Sequence, residues 1–382
     1  MLRRLTIITL IANCCIVLNA QSLAETDTIV TQKKNIFKRV IEYFDKSNET
    51  DPNKKFDFSV IGGPHYSSDS KLGLGLVASG LFRLDRSDME LSPSNVSIYS
   101  DVTTTGSYVL GVSGNIIFPK MKYRIDSDVF FANRPGRYWG VGYDYGRLDD
   151  NYTEFDNQQI FLKFDFLKKI WSQTYFGVTL NYRNAKGKSF DDISYLHGEN
   201  PSADAVGGGL ILSYDSRDFI PNPYSGIYAK VEQVFYPKVL GSTANMNKTE
   251  FIFRYYRQVW KGGIMAFDLQ GTFNNGDVPW NLVALMGGSY QMRGYYAGQY
   301  RDKKLVQSQI ELRQKVYRRS GVVVWAGAGN VFPSFSDFEW DHTLPSFGFG
   351  YRWEFKKRVN VRLDYGIGKG QTGFYFNINE AF

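Results

Sequence analysis

The sequence predicts an all-β protein, a transmembrane antiparallel β-barrel of about sixteen strands with one unusually long loop. Three observations carry that prediction. From Phe56 onward, apolar and polar residues alternate with period two. Aromatic residues make up 16% of the chain, with 26 Tyr and 29 Phe, although mean hydropathy is only −0.32. Short connections alternate with long polar ones, apart from brief loops near 105 and 370 and a longer turn near 84–93.

Taken in order, the N-terminus comes first. Arg3 and Arg4 precede an almost wholly apolar run from Leu5 to Leu18, and small residues at Ala20 and Ala24 offer cleavage points. This reads as an export signal peptide over residues 1–20. The run is too short to span a bilayer comfortably as an anchor, and Asn13 before Cys14 argues against lipid attachment. Both cysteines, Cys14 and Cys15, fall inside the leader, so no disulfide staples the exported chain. Residues 21–55 form a polar periplasmic segment with one amphipathic stretch, in which Ile36, Val40, Ile41 and Phe44 share a helical face. It is either a short surface helix or one lying at the membrane surface or barrel mouth.

The barrel spans residues 56–382. In "VQSQIELRQKVY", Val306, Ile310, Leu312 and Val316 point one way, while Gln307, Gln309, Glu311, Arg313 and Lys315 point the other. In "SFGFGYRWEFK", Phe347, Phe349, Tyr351, Trp353 and Phe355 oppose Gly348, Gly350, Arg352, Glu354 and Lys356. A soluble sandwich also alternates, but its apolar face is the buried one. Here an aromatic-belted face opposes one of charges and glycines, strand after strand, which suits lipid outside and a hydrated lumen inside. Strand centres are expected near 61, 77, 99, 113, 126, 162, 178, 211, 231, 253, 267, 311, 327, 350, 363 and 377, within about two to four residues.

Short connections such as "FPKM", "LKKIWS", "WKGG", "YRRS" and "FKKR" then lie at the periplasmic end. The long ones (133–153, 185–204, 238–246, 274–304 and 333–344) lie outside. Two further features concern closure. The first strand holds Gly62, Gly63 and Pro64, and the last is preceded by Gly366, Gly368, Gly370 and Gly373. Proline lacks a donor and glycine weakens a strand interior, so the seam between these segments is expected either to be the weakest line or simply to bend. The tail "FYFNINEAF" places Phe374, Phe376, Ile378 and Phe382 on one face, with Glu380 out of pattern.

Charge and motif content exclude other classes. The net charge of +7 is modest and scattered, which argues against nucleic acid. The three histidines, His65, His197 and His342, form no metal-ligand pair, and no nucleophile–base constellation is visible. Asp149, Asp150 and Asp156 read as a solvated loop rather than a calcium site. No enzyme, metal or cofactor is expected.

Ordered motifs resemble the bacterial surface-antigen superfamily of outer-membrane assembly barrels of the BamA/TamA type. They are Arg293-Gly294-Tyr295 in a long outer loop, "YDSRDFIPNPYSGIY" with Asp215, Arg217 and Asp218, "IELRQKV", "WAGAGNVF", "SFGFGYRW" and "VRLDYGIG". The resemblance covers roughly 57–382 and implies a bacterial outer-membrane protein. It implies that the 274–304 loop folds into the lumen, where Arg293 pairs with acidic groups on the inner wall. The family commonly has an Asp where this chain has Gly327, so strand phase nominates Glu311 first and Asp364 second. It also implies that the first–last seam opens laterally to a client strand, and that the aromatic tail is read by the assembly machinery. Asp215, Arg217 and Asp218 are taken as a structural ion-pair turn. About thirty-five residues between leader and barrel match the subgroup without POTRA domains, and no G-x-S-x-G elbow is present. The expected role is insertion or transport of protein or lipid, with outer-membrane lipid and an unspecified client as partners; the alternative is a passive plugged pore or structural barrel.

Overall fold

Runs of β-branched and aromatic residues, interrupted by Gly, Pro and polar turns, give long strands linked in sequence order. The computed structural model describes residues 56–85, 91, 93–220, 222–356 and 358–382, all within a unit running from Ser47 to Phe382. The leader and the amphipathic stretch expected over 1–55 lie outside the described residues.

The first strands are β1 (Asp57–Ser67), β2 (Lys71–Phe82), β3 (Ser94–Thr103), β4 (Tyr108–Ile117), β5 (Tyr123–Tyr138) and β6 (Thr153–Trp171). Next come β7 (Thr174–Lys188), β8 (Ser202–Asp215), β9 (Gly226–Tyr236), β10 (Met246–Trp260) and β11 (Gly263–Gly276). Two short strands, β12 (Ala284–Leu285) and β13 (Arg301–Asp302), pair only with each other. The last are β14 (Lys304–Tyr317), β15 (Ser320–Phe332), β16 (Leu344–Lys356), β17 (Val359–Ile367) and β18 (Thr372–Ile378). All except β12 and β13 close into one antiparallel barrel, with β1 beside β18. Each of the sixteen expected centres falls inside a barrel strand.

Alternation sorts side chains as the pattern requires. Along β15, Val322 and Val324 are exposed on the outer surface while Val323 and Trp325 are buried inside. Phe347, Phe349 and Tyr351 of β16 likewise face out, whereas Ser346 and Arg352 are buried. Tight turns at one end place Gln173, Arg318 and Arg358 at positive φ, as twisted two-residue hairpins demand. The other end carries the longer loops, of which 277–303 is the longest.

Two expectations about closure are corrected. β1 pairs with β2 through eleven residue pairs but with β18 through only two, Tyr66–Phe376 and Ser67–Tyr375. Neither Gly62, Gly63 and Pro64 nor Gly373 is among them. Second, the tail does not keep one face. Phe374 is exposed outward, but Asn379 adopts φ 70°, and Phe382 is buried inside against Tyr256, Ala266 and Ala381. The left-handed residue turns the chain off the barrel wall at the point where β1 would otherwise continue the ladder.

Candidate functional site

The inner face of β14–β18 is built from a few charged side chains set among glycines. Glu311 and Arg313 come from β14, Trp325 from β15, Arg352 from β16, and Arg362 and Asp364 from β17; all are at least nine-tenths buried. Strand phase puts them on one face, and the glycines between them leave a recess.

The 277–303 loop fills that recess. Arg293, which has no exposed surface, donates from Nη1 to Asp364 Oδ2 at 2.6 Å and from Nη2 to Glu311 Oε1. Gln309 Oε1 lies 3.4 Å from the same Nη2. The guanidinium sits 3.6 Å from the ring centre of Trp325, whose face is attractive to a cation. Both nominated carboxylates are therefore in contact with Arg293, one on each fork of the guanidinium. The backbone is fastened as well: Ser346 Oγ donates to Arg293 O at 2.6 Å, and Gly294 N donates to Tyr375 Oη at 2.9 Å. Tyr295 Oη donates to Pro345 O and accepts from Lys369 N.

Glycine is required here for contact rather than for bending. Gly294 has φ 109°, and a β-carbon on it would lie 2.7 Å from backbone atoms of Ile367 and Gly368. A β-carbon on Gly366 would meet Arg293 C at 2.6 Å. Two backbones touch, and neither tolerates a side chain between them. Gly368 similarly clears the Tyr295 ring, and Gly373 clears the Tyr375 hydroxyl. Their place in the sequence, at the approach to the last strand, groups these glycines with the seam; the structure assigns Gly366, Gly368 and Gly373 to the loop's seat.

The charges extend into a network. Arg313 Nε donates to Glu311 Oε2 at 3.0 Å, and Arg352 bridges Asp364 Oδ1 (2.5 Å) and Glu380 Oε2 (2.7 Å). Glu380, out of pattern for a lipid face, is thus an inward ion-pair partner. Arg362 Nη1 is 3.4 Å from Asp364 Oδ2, but its nitrogens make no hydrogen bond among the described residues. Four guanidinium groups share three side-chain carboxylates, so each carboxylate is held by at least two cations. Sequence reasoning did not single out Tyr375, Trp325, Ser346 or this arginine cluster, although period-two phase marks each as inward.

At the long-loop end, Asp69 Oδ2 accepts from Ala297 N at 3.1 Å, and burial pushes its carboxyl up to about 6 against that amide and against Lys71 and Arg137. At the short-turn end, Arg217 forms a two-point pair with Asp215 (2.9 and 2.7 Å). Asp218 does more than stop a strand. Its Oδ2 accepts from Arg358 Nη1 at 2.8 Å, tying the 216–225 turn to the turn between β16 and β17. Burial alone would raise the Asp218 carboxyl, but Arg358 and the Tyr224 and Ser225 amides outweigh it and hold it below the usual range.

Comparison with known proteins places this architecture. Solved barrels share the fold at low identity. BamA from Haemophilus ducreyi lacking POTRA domains 1–3 matches with TM-score 0.58 and 12% identity over 83% of this chain and 69% of that one. CdiB from Acinetobacter baumannii gives 0.55 and 11% over 86% and 60%. CdiB from Escherichia coli gives 0.55 and 12% over 87% and 63%. The chain thus spans less than two thirds of either CdiB. No curated protein is significantly similar to it. Residues 102–382 match the Omp85 superfamily domain, which covers most of the barrel and agrees with the ordered motifs. The chain belongs to the Omp85 superfamily.

Proposed function

We propose that this barrel assists the insertion or translocation of a polypeptide or lipid client at the bacterial outer membrane, through its β1–β18 seam. In this reading residues 1–20 direct export, residues 21–55 remain in the periplasm, and the aromatic residues of β18 guide the chain's own assembly. The observation that carries it is the seam. A two-pair contact joins strands that otherwise pair over seven residues (β17–β18) and eleven (β1–β2). The rest of β1's outer edge offers backbone donors and acceptors to which a further strand can add. The inward turn at Asn379 keeps the chain's own tail out of that position.

A second reading, a passive plugged barrel, is favoured by the Arg293 network that occupies one side of the lumen. One experiment separates the two. Tyr66→Cys with Phe376→Cys, in a Cys14→Ser/Cys15→Ser background, places a disulfide across an existing seam pair. In cells that depend on this protein, the oxidised seam is expected to reduce outer-membrane protein or lipid content as severely as depletion does, with recovery on reduction. Full activity of the locked barrel supports the passive reading instead.

A further inference from the structure

The two ends of the barrel carry opposite charge. The turns from β4 to β17 at the short-turn end (118–122, 172–173, 216–225, 261–262, 318–319 and 357–358) hold eight Lys or Arg and one Asp. Over the same span, the loops at the other end (139–152, 189–201, 237–245, 277–303 and 333–343) hold eleven Asp or Glu and five Lys or Arg, two of which, Arg293 and Arg301, are buried. Exposed Lys120, Lys122, Lys168, Lys261 and Arg318 belong to the basic rim, and none of the five is ion-paired among the described residues. Lys122 and Arg318 each lie over a neighbouring ring, of Tyr123 and Tyr317 respectively, which leaves their charge available to an outside partner.

Their neighbours indicate what does. Trp171 is 79% exposed, Trp260 53% and Tyr317 64%; Lys261 and Arg318 directly follow the last two, and Lys168 precedes Trp171 by three residues on β6. Exposed aromatic side chains at the end of a lipid-facing surface sit at headgroup depth, which sets the adjacent cations among lipid phosphates. We infer that the short-turn rim from β4 to β17 is a binding surface for anionic phospholipid headgroups. A juxtamembrane cation is attracted to an anionic leaflet, and the more strongly the lower the salt. Several of them distributed around a rim enrich anionic lipid in the annulus rather than fixing one molecule. An acidic protein could also meet such a rim, but the interleaved aromatics and the continuity with the lipid-facing wall favour lipid. The surface is independent of whether a client passes the seam.

The test uses the folded full chain in vesicles, in a Trp340→Phe background that removes the exposed tryptophan of the opposite end. Tryptophan quenching by brominated phosphatidylglycerol is compared with quenching by brominated phosphatidylcholine. A roughly threefold preference for phosphatidylglycerol is expected at low salt, falling toward one at about 0.5 M salt as screening shortens. Joint substitution Lys120→Gln, Lys122→Gln, Lys168→Gln, Lys261→Gln and Arg318→Gln, all at exposed positions, is expected to abolish it while heat-modifiable gel mobility confirms folding. A ratio of one at low salt, or a preference unchanged in the five-site variant, overturns the inference and leaves the rim to an acidic protein.

Discussion

The wall formed by β14–β18 and the wall formed by β1–β4 do opposite things with similar material. Both are rich in glycine. In the first, Gly366, Gly368 and Gly373 make room for the Arg293 loop, and burial is repaid by ion pairs and backbone hydrogen bonds. In the second, Gly73 and Gly75 lie beside His65, which is paired with Asp101 across β2, and among the described residues the 277–303 loop reaches this side through the Ala297 N–Asp69 Oδ2 hydrogen bond. A glycine-bearing strand is therefore firm or weak according to what packs on it. The fastened wall ends at β18, and the thin one begins at β1, so the seam falls where the two meet.

The largest expected effect breaks the fastened wall. Asp364→Ala leaves Arg293, Arg352 and Arg362 without a shared carboxylate in a buried site, and should destabilise the barrel by about 3–5 kcal/mol. Arg362→Met removes the cation with the poorest pairing and should stay within about 1 kcal/mol of wild type. Denaturant unfolding of the reconstituted protein, followed by tryptophan fluorescence, checks both. If the two variants are equally harmful, the network is not organised around its carboxylates.

Next in size is Gly366→Ala. Its new methyl meets the Arg293 backbone, so the loop must shift, at about 1–3 kcal/mol. The signature is local: faster amide exchange at 290–297 with the β6–β9 strands unaffected. Gly63→Ala, where the nearest side-chain atom would be 4.0 Å away, should be nearly silent.

The smallest effect is pH-dependent and sharpens how the loop meets the thin wall. Burial pushes the Asp69 carboxyl up to about 6, against the Ala297 amide that holds it, so the folded chain binds more protons than the unfolded one. The contribution of this site to stability is full below the ordinary Asp range and is lost as pH rises through about 6. Exchange at 296–298, corrected for intrinsic rate, should be about threefold to tenfold slower at pH 5 than at pH 7.5. Asp69→Asn should remove the difference; a persistent difference would place the titration elsewhere.

Strand number, strand order and the inward or outward sense of each residue were readable because alternation is a local property. The same phase was enough to nominate Glu311 and Asp364. What alternation does not encode is which inward residues meet across the lumen. Tyr375 lies between outward Phe374 and Phe376, yet its role depends on a loop 81 residues away. The reach of Asp218 to Arg358, 140 residues distant, depends on how far the 216–225 turn extends beneath the barrel. Phe382 departs from the alternating face because a positive φ at Asn379 ends the strand, and sequence periodicity does not encode that turn.

Amide hydrogen exchange of the folded protein in lipid tests the contrast between the walls most directly. Alternate amides of β1 between Asp57 and Pro64, those directed away from β2, are expected to exchange within minutes, whereas Gly294 and the amides of β15 and β16 persist for hours. Protection along β1 equal to that of β15 would contradict the account, because the seam would then be as well closed as the fastened wall.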